Sequence, residues 1–358
     1  MRASLLIFAL TLATTLQLSL GQDVSCTRGD GKPGYCMRKS QCPKISNMIK
    51  QRRLRNSYTP EEITYILNSV CPGSKELVCC EDDEKVAEGL QMLRDQECGV
   101  FSFAKTFGGS EVELMSRPWM VYLTINNNST THMCGGTLIH KRYVLTAAHC
   151  FNGRTLHSMR LGEHNLLTEP DCKVKRGRMV CAPRVVHIQR GQIFQHEEFF
   201  KRALAHDIAL IKLPQDVVFT NSVRPICLPV NETLQELATT MDKFFVAGWG
   251  HVRPNVPSTL LTETIVPNLN MTDCYNSFNG ISPLTTSLLC AGDVRHDSCS
   301  GDSGGPLSHV TELYNGVQRF VQFGITSFGS PKCGDHHPGV YTKVGSYMRW
   351  IAYKIATK

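Results

Sequence analysis

The sequence predicts an all-β fold of two barrels, preceded by a small disulfide-rich unit and closed by a C-terminal helix. From Val112 onward, short apolar runs alternate with turn signals, for example over Met120 to Ile125 and Phe244 to Ala247, which is typical of all-β domains. Six cysteines lie between residues 26 and 80, and a unit too small for a large core depends on disulfides. Apolar residues at helical spacing from Met348 to Tyr353 predict the final helix.

The N-terminal stretch predicts a secreted protein. Met1-Arg2 precedes an apolar run from Leu5 to Leu20 that ends at Gly21, as in a signal peptide cleaved near that glycine. A membrane anchor is the alternative, but threonines and Gln17 interrupt the run, so no membrane span is expected. The 358 residues are 42% hydrophobic and 19% charged, an ordinary globular composition, and the modest net charge of +7 gives no reason to expect a nucleic-acid partner.

Sixteen cysteines in a secreted chain predict a disulfide framework. Their number is even, and no pair has the Cys-x-x-Cys spacing of many zinc sites. Sequons at Asn127 or Asn128, Asn231 and Asn270 fit the same compartment and are candidate glycosylation sites.

The cysteine-rich unit contains one predicted helix start and one basic run. Thr59-Pro60-Glu61-Glu62 combines a capping residue with a proline at the first helical position. The basic run consists of Lys50, Arg52, Arg53 and Arg55. A solvated face is the simpler interpretation of this run, and a contact for an acidic partner is the alternative.

Three separated motifs predict a nucleophilic catalytic centre. Ser303 lies in the segment from Asp297 to Leu307, and a serine needs a base to take its proton before it attacks. Thr146-Ala-Ala-His149-Cys150 supplies the candidate base, and His206-Asp207-Ile-Ala-Leu210 supplies a carboxylate to orient it. The chain order His, Asp, Ser is that of chymotrypsin and excludes the subtilisin and α/β-hydrolase orders. The amides of Gly301 and Ser303 would form the oxyanion hole.

Together, the cysteine pattern ending in Cys79-Cys80, the acidic linker after it and the three motifs resemble arthropod clip-domain serine proteases of the trypsin and chymotrypsin-like family. The resemblance implies a chymotrypsin-like double six-stranded β-barrel with a C-terminal helix, preceded by a disulfide-rich α/β clip domain. It divides the chain into a signal peptide (1–21), a clip domain (22–81), a linker and light-chain tail (82–105) and a protease domain (106–358).

The resemblance also implies a disulfide pairing, because sequence spacing leaves the choice open. The implied bridges are Cys26 to Cys79, Cys36 to Cys71, Cys42 to Cys80, Cys98 to Cys227, Cys134 to Cys150, Cys274 to Cys290 and Cys299 to Cys333. Cys172 and Cys181 are left over, and they are expected to close an insertion hairpin.

Zymogen activation, by the same resemblance, falls between Lys105 and Thr106, just before Phe107-Gly108-Gly109. The cut would free an ammonium that pairs with Asp302, and a buried ion pair that exists only after cleavage acts as a switch. Thr106 departs from the Ile or Val of the family. Its hydroxyl needs a hydrogen bond when buried, so we expect the active form to be less stable by about 1 kcal/mol. The alternative is a cut elsewhere in the segment.

Family positions also define a substrate pocket. Asp297 stands six residues before Ser303, where the resemblance implies a carboxylate that selects Arg or Lys before the scissile bond. Ser327, Gly329 and Gly339 fill the wall positions, and the two glycines leave room for a long side chain.

A loop rich in oxygen ligands is a candidate calcium site. Glu163, Asn165, Thr168 and Asp171 offer side-chain oxygens within one short segment, as calcium prefers. Clip proteases resemble this sequence in using a loop of similar spacing for calcium. An ordinary polar loop is the alternative.

The sequence therefore predicts the secreted zymogen of a trypsin-like serine endopeptidase that acts in an extracellular proteolytic cascade of innate immunity, of the Toll or melanisation type, in haemolymph. The implied partners are an upstream activating protease, a downstream protease zymogen and a serpin inhibitor. Two alternatives remain: a non-enzymatic clip-domain cofactor, and a digestive trypsin, against which the clip unit and linker argue.

Overall fold

The N-terminal unit is a three-stranded antiparallel sheet with two helices between its second and third strands. The computed structural model of the chain describes residues 25–39, 42–74, 76–81, 84–101, 110–127, 130–200, 204–253, 256–278, 286–292, 301–313, 316–329 and 337–358. The elements of the unit are β1 (Ser25–Thr27), β2 (Pro33–Arg38), α1 (Pro43–Arg55), α2 (Pro60–Asn68) and β3 (Leu77–Glu81).

Local sequence explains the start of α2, as predicted. The Thr59 hydroxyl accepts from the Glu62 amide at 3.3 Å, and the Glu62 carboxylate accepts from the Thr59 amide at 2.9 Å. This reciprocal pair satisfies two backbone donors that a helix N-terminus otherwise leaves without partners. The core of the unit is small and holds two half-cystines besides Ile45, Tyr65 and Val78, so disulfides carry much of its stability.

The first large sheet contains seven antiparallel strands. They are β5 (Met120–Asn127), β6 (Thr130–His140), β7 (Tyr143–Thr146), β8 (Thr155–Leu161), β11 (Val186–Ile188), β12 (Gln192–Gln195) and β13 (Ala209–Lys212), in the order β11-β8-β5-β6-β7-β13-β12. Leu123 and Ile125 of β5 are fully buried, whereas Tyr122 and Thr124 between them are half-buried. This alternation places one face of the sheet on the core.

The second large sheet also has seven strands. They are β4 (Ser110–Glu111), β14 (Lys243–Gly248), β17 (Thr262–Leu269), β18 (Leu288–Ala291), β19 (Pro306–Glu312), β20 (Gln318–Phe328) and β21 (Gly339–Lys343). Six of them close a barrel, because β14 pairs with both β19 and β17, and β4 adds a short edge strand to β17. The sequence-predicted all-β architecture is confirmed.

Several smaller strands and helices lie outside the two large sheets. An insertion hairpin pairs β9 (Cys172–Lys175) with β10 (Arg178–Cys181), and the Cys172–Cys181 bridge closes it as expected. The others are β15 (His251–Arg253), β16 (Val256–Pro257), α4 (Glu232–Leu237), α5 (Met271–Ser277) and the C-terminal α6 (Met348–Thr357).

The segment interpreted as a linker contains a helix that packs against the C-terminal helix α6. This helix, α3, spans Glu84–Arg94 and packs closely against α6. Val86 and Leu93 of α3 are buried. A Cβ atom built at Gly89 would lie within 3.0 Å of three backbone atoms of Ala352, so the two helices approach as closely as they do only because residue 89 is glycine.

Seven disulfides join described residues. Six of them join the cysteines that the family resemblance implies, and the seventh is the Cys172–Cys181 bridge expected from the two cysteines left over. The seven are Cys26–Cys79, Cys36–Cys71, Cys42–Cys80, Cys98–Cys227, Cys134–Cys150, Cys172–Cys181 and Cys274–Cys290. The implied Cys299–Cys333 bridge lies outside the described residues. Among the helices of the described residues, none has both the length and the apolar character that a membrane crossing needs.

Candidate active site

His149 and Asp207 come from two neighbouring strands of the first sheet. His149 lies in a 3-10 turn, Ala148–Phe151, that follows β7, and Asp207 lies two residues before β13. β7 and β13 are paired, with Thr146 opposite Ala209, so the two side chains meet at the same end of the sheet.

Both carboxylate oxygens of Asp207 bind His149. One accepts from the His149 backbone amide at 2.8 Å, and the other lies 2.7 Å from Nδ1 of the ring. Asp207 is fully buried, while the His149 side chain is 20% exposed. An ionised carboxylate accepts only, so Nδ1 carries the proton and the lone pair of Nε2 is left for another proton.

The second sheet also holds Asp207. The Ser327 hydroxyl of β20 donates to the Asp207 carboxylate at 2.5 Å, and the Thr342 hydroxyl of β21 donates to its carbonyl oxygen at 2.8 Å. The sequence placed Ser327 only in the wall of a substrate pocket. Its hydroxyl also satisfies a buried charge, which matters because such a charge is costly unless hydrogen-bonded.

Ser303 sits on a tight loop of the second sheet that reaches the first. Gly301 and Gly304 have φ values of 101° and 81°, a region that favours glycine. The Gly135 amide donates to the Ser303 carbonyl at 2.8 Å. Cys134, the neighbour of Gly135, is bridged to Cys150, the neighbour of His149. The nucleophile candidate and the base candidate are therefore anchored to the same strand, β6.

A surface cleft of about 380 Å³ opens over these groups. Its lining includes His149, Gly301 and Ser303. The structure therefore brings His149, Ser303 and the predicted oxyanion residue Gly301 to one solvent-accessible cleft. The buried Asp207 contacts His149 from the protein interior.

The Asp302 carboxylate lies in a space shaped by glycines. It accepts from the Gly250 amide at 2.9 Å. A Cβ atom on either Gly248 or Gly250 would overlap the carboxylate. Lys105 and Thr106, its predicted activation partners, lie outside the described residues.

The described residues of the predicted substrate pocket lie at two paired strand ends. Ser327 and Gly339 are buried, and Gly329 is half-buried. Phe328 pairs with Val340, so the end of β20 and the start of β21 run side by side at this wall. Asp297 lies outside the described residues.

The candidate calcium loop is organised by Asp171. One carboxylate oxygen of Asp171 accepts from the amides of His164 and Asn165 at 3.1 and 3.0 Å, and the Thr168 hydroxyl donates to the other at 2.5 Å. The His164 amide is also 3.0 Å from a Glu163 oxygen, so the two buried carboxylates converge on one backbone group. Burial raises the pKa of Glu163, and the negative charge of Asp171 adds to the rise.

The described sequons lie on accessible segments. Asn127 ends β5 and is exposed, and Asn270 precedes α5 and is exposed. Asn231 caps α4, since its side chain accepts from the Leu234 amide at 2.9 Å. Asn128 lies outside the described residues.

Known proteins match almost the whole chain. Residues 106–351 match the model of the Trypsin family, and residues 26–80 match that of the regulatory CLIP domain of proteinases. The chain is 35% identical to the serine protease grass of Drosophila melanogaster over 93% of this chain and 91% of that protein. It is 32% identical to the Spaetzle-processing enzyme of the same organism, with 92% of this chain and 91% of that protein covered.

A beetle relative and a solved structure extend the match. Phenoloxidase-activating factor 1 of Holotrichia diomphalia is 32% identical, over 93% of this chain and 94% of that protein. The crystal structure of the Drosophila Grass clip serine protease of the Toll pathway superposes with a TM-score of 0.71, at 35% identity, over 93% of this chain and 98% of that one.

Proposed function

This chain belongs to the trypsin family of serine proteases and carries a regulatory CLIP domain, and we propose that it is the secreted zymogen of an endopeptidase that cleaves after Arg or Lys. One observation supports catalysis above the others. The fully buried Asp207 holds the His149 ring at 2.7 Å beside the same cleft that Ser303 lines.

In the proposed reaction Ser303 Oγ attacks the carbonyl carbon of the scissile bond while His149 Nε2 takes its proton. Asp207 stabilises the imidazolium, and the amides of Gly301 and Ser303 stabilise the oxyanion. His149 then donates the proton to the leaving amine, and the acyl group stays on Ser303. A water molecule, deprotonated by His149, attacks the ester and regenerates the serine.

Activation follows from cleavage after Lys105 in this proposal. The new ammonium of Thr106 would pair with the Asp302 carboxylate, whose backbone neighbours Gly301 and Ser303 supply the oxyanion donors. Gly248 and Gly250 leave room for that carboxylate, and the Gly250 amide, which donates to it at 2.9 Å, supports a fixed position for the negative charge.

Specificity for basic residues rests on Asp297 at the base of the pocket. A buried carboxylate there lacks a counter-charge until an Arg or Lys side chain enters, and it penalises neutral residues. The small residues Gly329 and Gly339 on the paired ends of β20 and β21 support a pocket deep enough for such a side chain.

An extracellular proteolytic cascade is the proposed setting. The relatives include proteins called Spaetzle-processing enzyme and phenoloxidase-activating factor 1, which supports a role in Toll or melanisation signalling. The proposed partners are an activating protease, a downstream protease zymogen and an inhibitory serpin, in haemolymph. A non-enzymatic cofactor that docks through its CLIP domain is the competing proposal, and it predicts no turnover.

The deciding experiment is active-site labelling. An enteropeptidase recognition sequence placed directly before Thr106 allows controlled cleavage with the natural new N-terminus. Cleaved protein should react stoichiometrically with a fluorophosphonate, and a Ser303→Ala variant should not. Absence of labelling in the cleaved protein would favour the cofactor. Faster hydrolysis of Phe than of Arg peptides would refute the pocket, and Asp297→Ser is the matched variant for that comparison.

We also propose that Glu163, Asn165, Thr168 and Asp171 hold a structural Ca²⁺ ion. Two buried carboxylates converge on the His164 amide. Arg160 lies 3.2 Å from Glu163 and offsets part of their charge, and a divalent cation would offset the remaining repulsion. Chelation should lower the Tm of the wild-type zymogen and leave that of Asp171→Asn unchanged. An unchanged wild-type Tm would contradict the proposal.

A further inference from the structure

Three clusters of histidine, cysteine and carboxylate side chains in the described residues are close enough to hold a metal ion. Two of them depend on cysteines that are already in disulfides: Cys26, Cys36 and Cys71 in one, Cys134 and Cys150 in the other. An oxidised sulfur is no longer the thiolate that binds a metal. The remaining cluster, His196, Glu198 and His206, contains no disulfide and lies outside the predicted catalytic residues. Nδ1 of His196 accepts from the Glu198 amide at 3.1 Å, which leaves Nε2 as the nitrogen that could bind a metal.

These three side chains converge from two ends of one loop. One ring nitrogen of each histidine and one oxygen of Glu198 all lie within 4.8 Å of one another. The Glu198 carboxylate is 3.9 Å from Nε2 of His206. Tetrahedral zinc with bonds of about 2.0–2.2 Å separates its ligand atoms by about 3.3 Å. The two imidazole rings are stacked, with centroids 4.8 Å apart, so binding of an ion requires the side chains to rotate until their ligand atoms converge.

The surroundings favour metal binding over other uses of the cluster. The Tyr347 hydroxyl is 3.2 Å from Nδ1 of His206, and a hydrogen bond to one ring nitrogen orients the other toward a metal. Glu198 and His206 are 52% and 36% exposed, which leaves a path from solvent.

We propose that His196, Glu198 and His206 form a binding site for a divalent transition-metal ion such as Zn²⁺, with a further coordination position open to water. Two imidazoles and one carboxylate are a ligand set that zinc uses in proteins. Calcium and magnesium, which prefer oxygen ligands, are not expected to bind there.

The position of the site links the metal to two other parts of the protein. His206 is the chain neighbour of the buried Asp207 and has a φ of 54°, so holding its ring restrains the segment that carries the catalytic carboxylate. The other oxygen of Glu198 accepts from Lys50 of α1 at 2.9 Å. A bound metal would compete with Lys50 for this carboxylate and would loosen a contact between the CLIP domain and the protease domain.

Titration of the full-length zymogen with Zn²⁺ alone, followed by calorimetry, tests the proposal without any need for catalysis. The wild type should bind one ion at this site, and Glu198→Gln and His206→Asn should each weaken that binding by more than about tenfold. His187→Asn is the matched control. His187 lies 3.5 Å from Glu169 but belongs to none of the three clusters found among the described residues, so this variant should bind zinc as the wild type does.

For Lys50→Met we expect the opposite change in zinc affinity. Removing a cation beside the site should tighten zinc binding by about fivefold, and Lys85→Met, which removes a lysine from a different ion pair, should not. Equal zinc affinity in the wild type and in Glu198→Gln and His206→Asn, with unchanged Tm values in the absence of zinc, would overturn the proposal.

Discussion

Replacing Gly89 by alanine tests whether the contact of α3 with α6 depends on a missing side chain. The added methyl group would lie within 3.0 Å of three backbone atoms of Ala352. Backbone cannot rotate away as a flexible side chain can, so α3 must move outward. That movement weakens the packing of Val86 and Leu93, which are both buried against the protein.

Two opposing contributions determine whether Gly89→Ala stabilises or destabilises the docked α3. Overpacking a close contact costs about 1–3 kcal/mol, and a backbone overlap belongs at the upper end of that range. Alanine is a better helix former than glycine by about 1 kcal/mol. The net expectation is that Gly89→Ala destabilises the docked α3 by about 2 kcal/mol.

Hydrogen exchange of the α3 amides, read as a free energy of local opening, measures this directly. Ala87→Gly is the matched control, because Ala87 is exposed on the same helix and its change tests helix propensity alone, with an expected loss of about 1 kcal/mol. If Gly89→Ala opened less readily than the wild type, propensity would outweigh packing and the argument for close helix contact would fail.

Three further predictions concern the two barrels. Ser327→Ala removes a hydroxyl donor from the buried Asp207 carboxylate. Since hydrogen bonds to charged groups contribute about 1.5–3 kcal/mol, kcat/KM of the activated enzyme should fall about ten- to hundredfold; unchanged kinetics would contradict this. Joint replacement of Cys98 and Cys227 by serine opens a loop of 129 residues and should lower the free energy of unfolding by about 4–5 kcal/mol by the chain-entropy model. The two chains of the cleaved variant should also separate on a non-reducing denaturing gel. Burial lowers the pKa of His140 below its ordinary 6.5, so the unfolded chain binds that proton more readily and the free energy of unfolding decreases as pH falls below 6.5. Urea unfolding should show a smaller decrease in His140→Gln than in the wild type. An equal decrease in the two proteins would refute the assignment to His140.

Local chemistry made several features predictable. The capping box at Thr59 depends on residues three apart, and short apolar runs become strands such as β5 and β14 because their alternation matches the pleat. The motifs around His149, Asp207 and Ser303 indicated a catalytic centre because each residue type is needed for one chemical task.

Contacts between segments that are distant in the sequence were harder to predict from the sequence. Val86, Gly89, Leu90 and Leu93 have helical spacing, a signal that could have revealed α3 in the segment interpreted as a linker. The contact of Gly89 with Ala352, however, depends on where the fold places the C-terminal helix. The second use of Ser327, as a donor to Asp207, likewise follows from the approach of β20 to the other barrel.

The sequence by itself determined the all-β class, the cysteine-rich first unit and the candidate residues for acyl transfer, because these depend on composition, short-range periodicity and residue chemistry. Only the tertiary structure decided which polar groups meet: Ser327 with Asp207, Gly250 with Asp302, and Lys50 with Glu198. The physical reason is that a buried charge is stabilised by donors wherever the fold brings them close, and sequence separation places no limit on that distance.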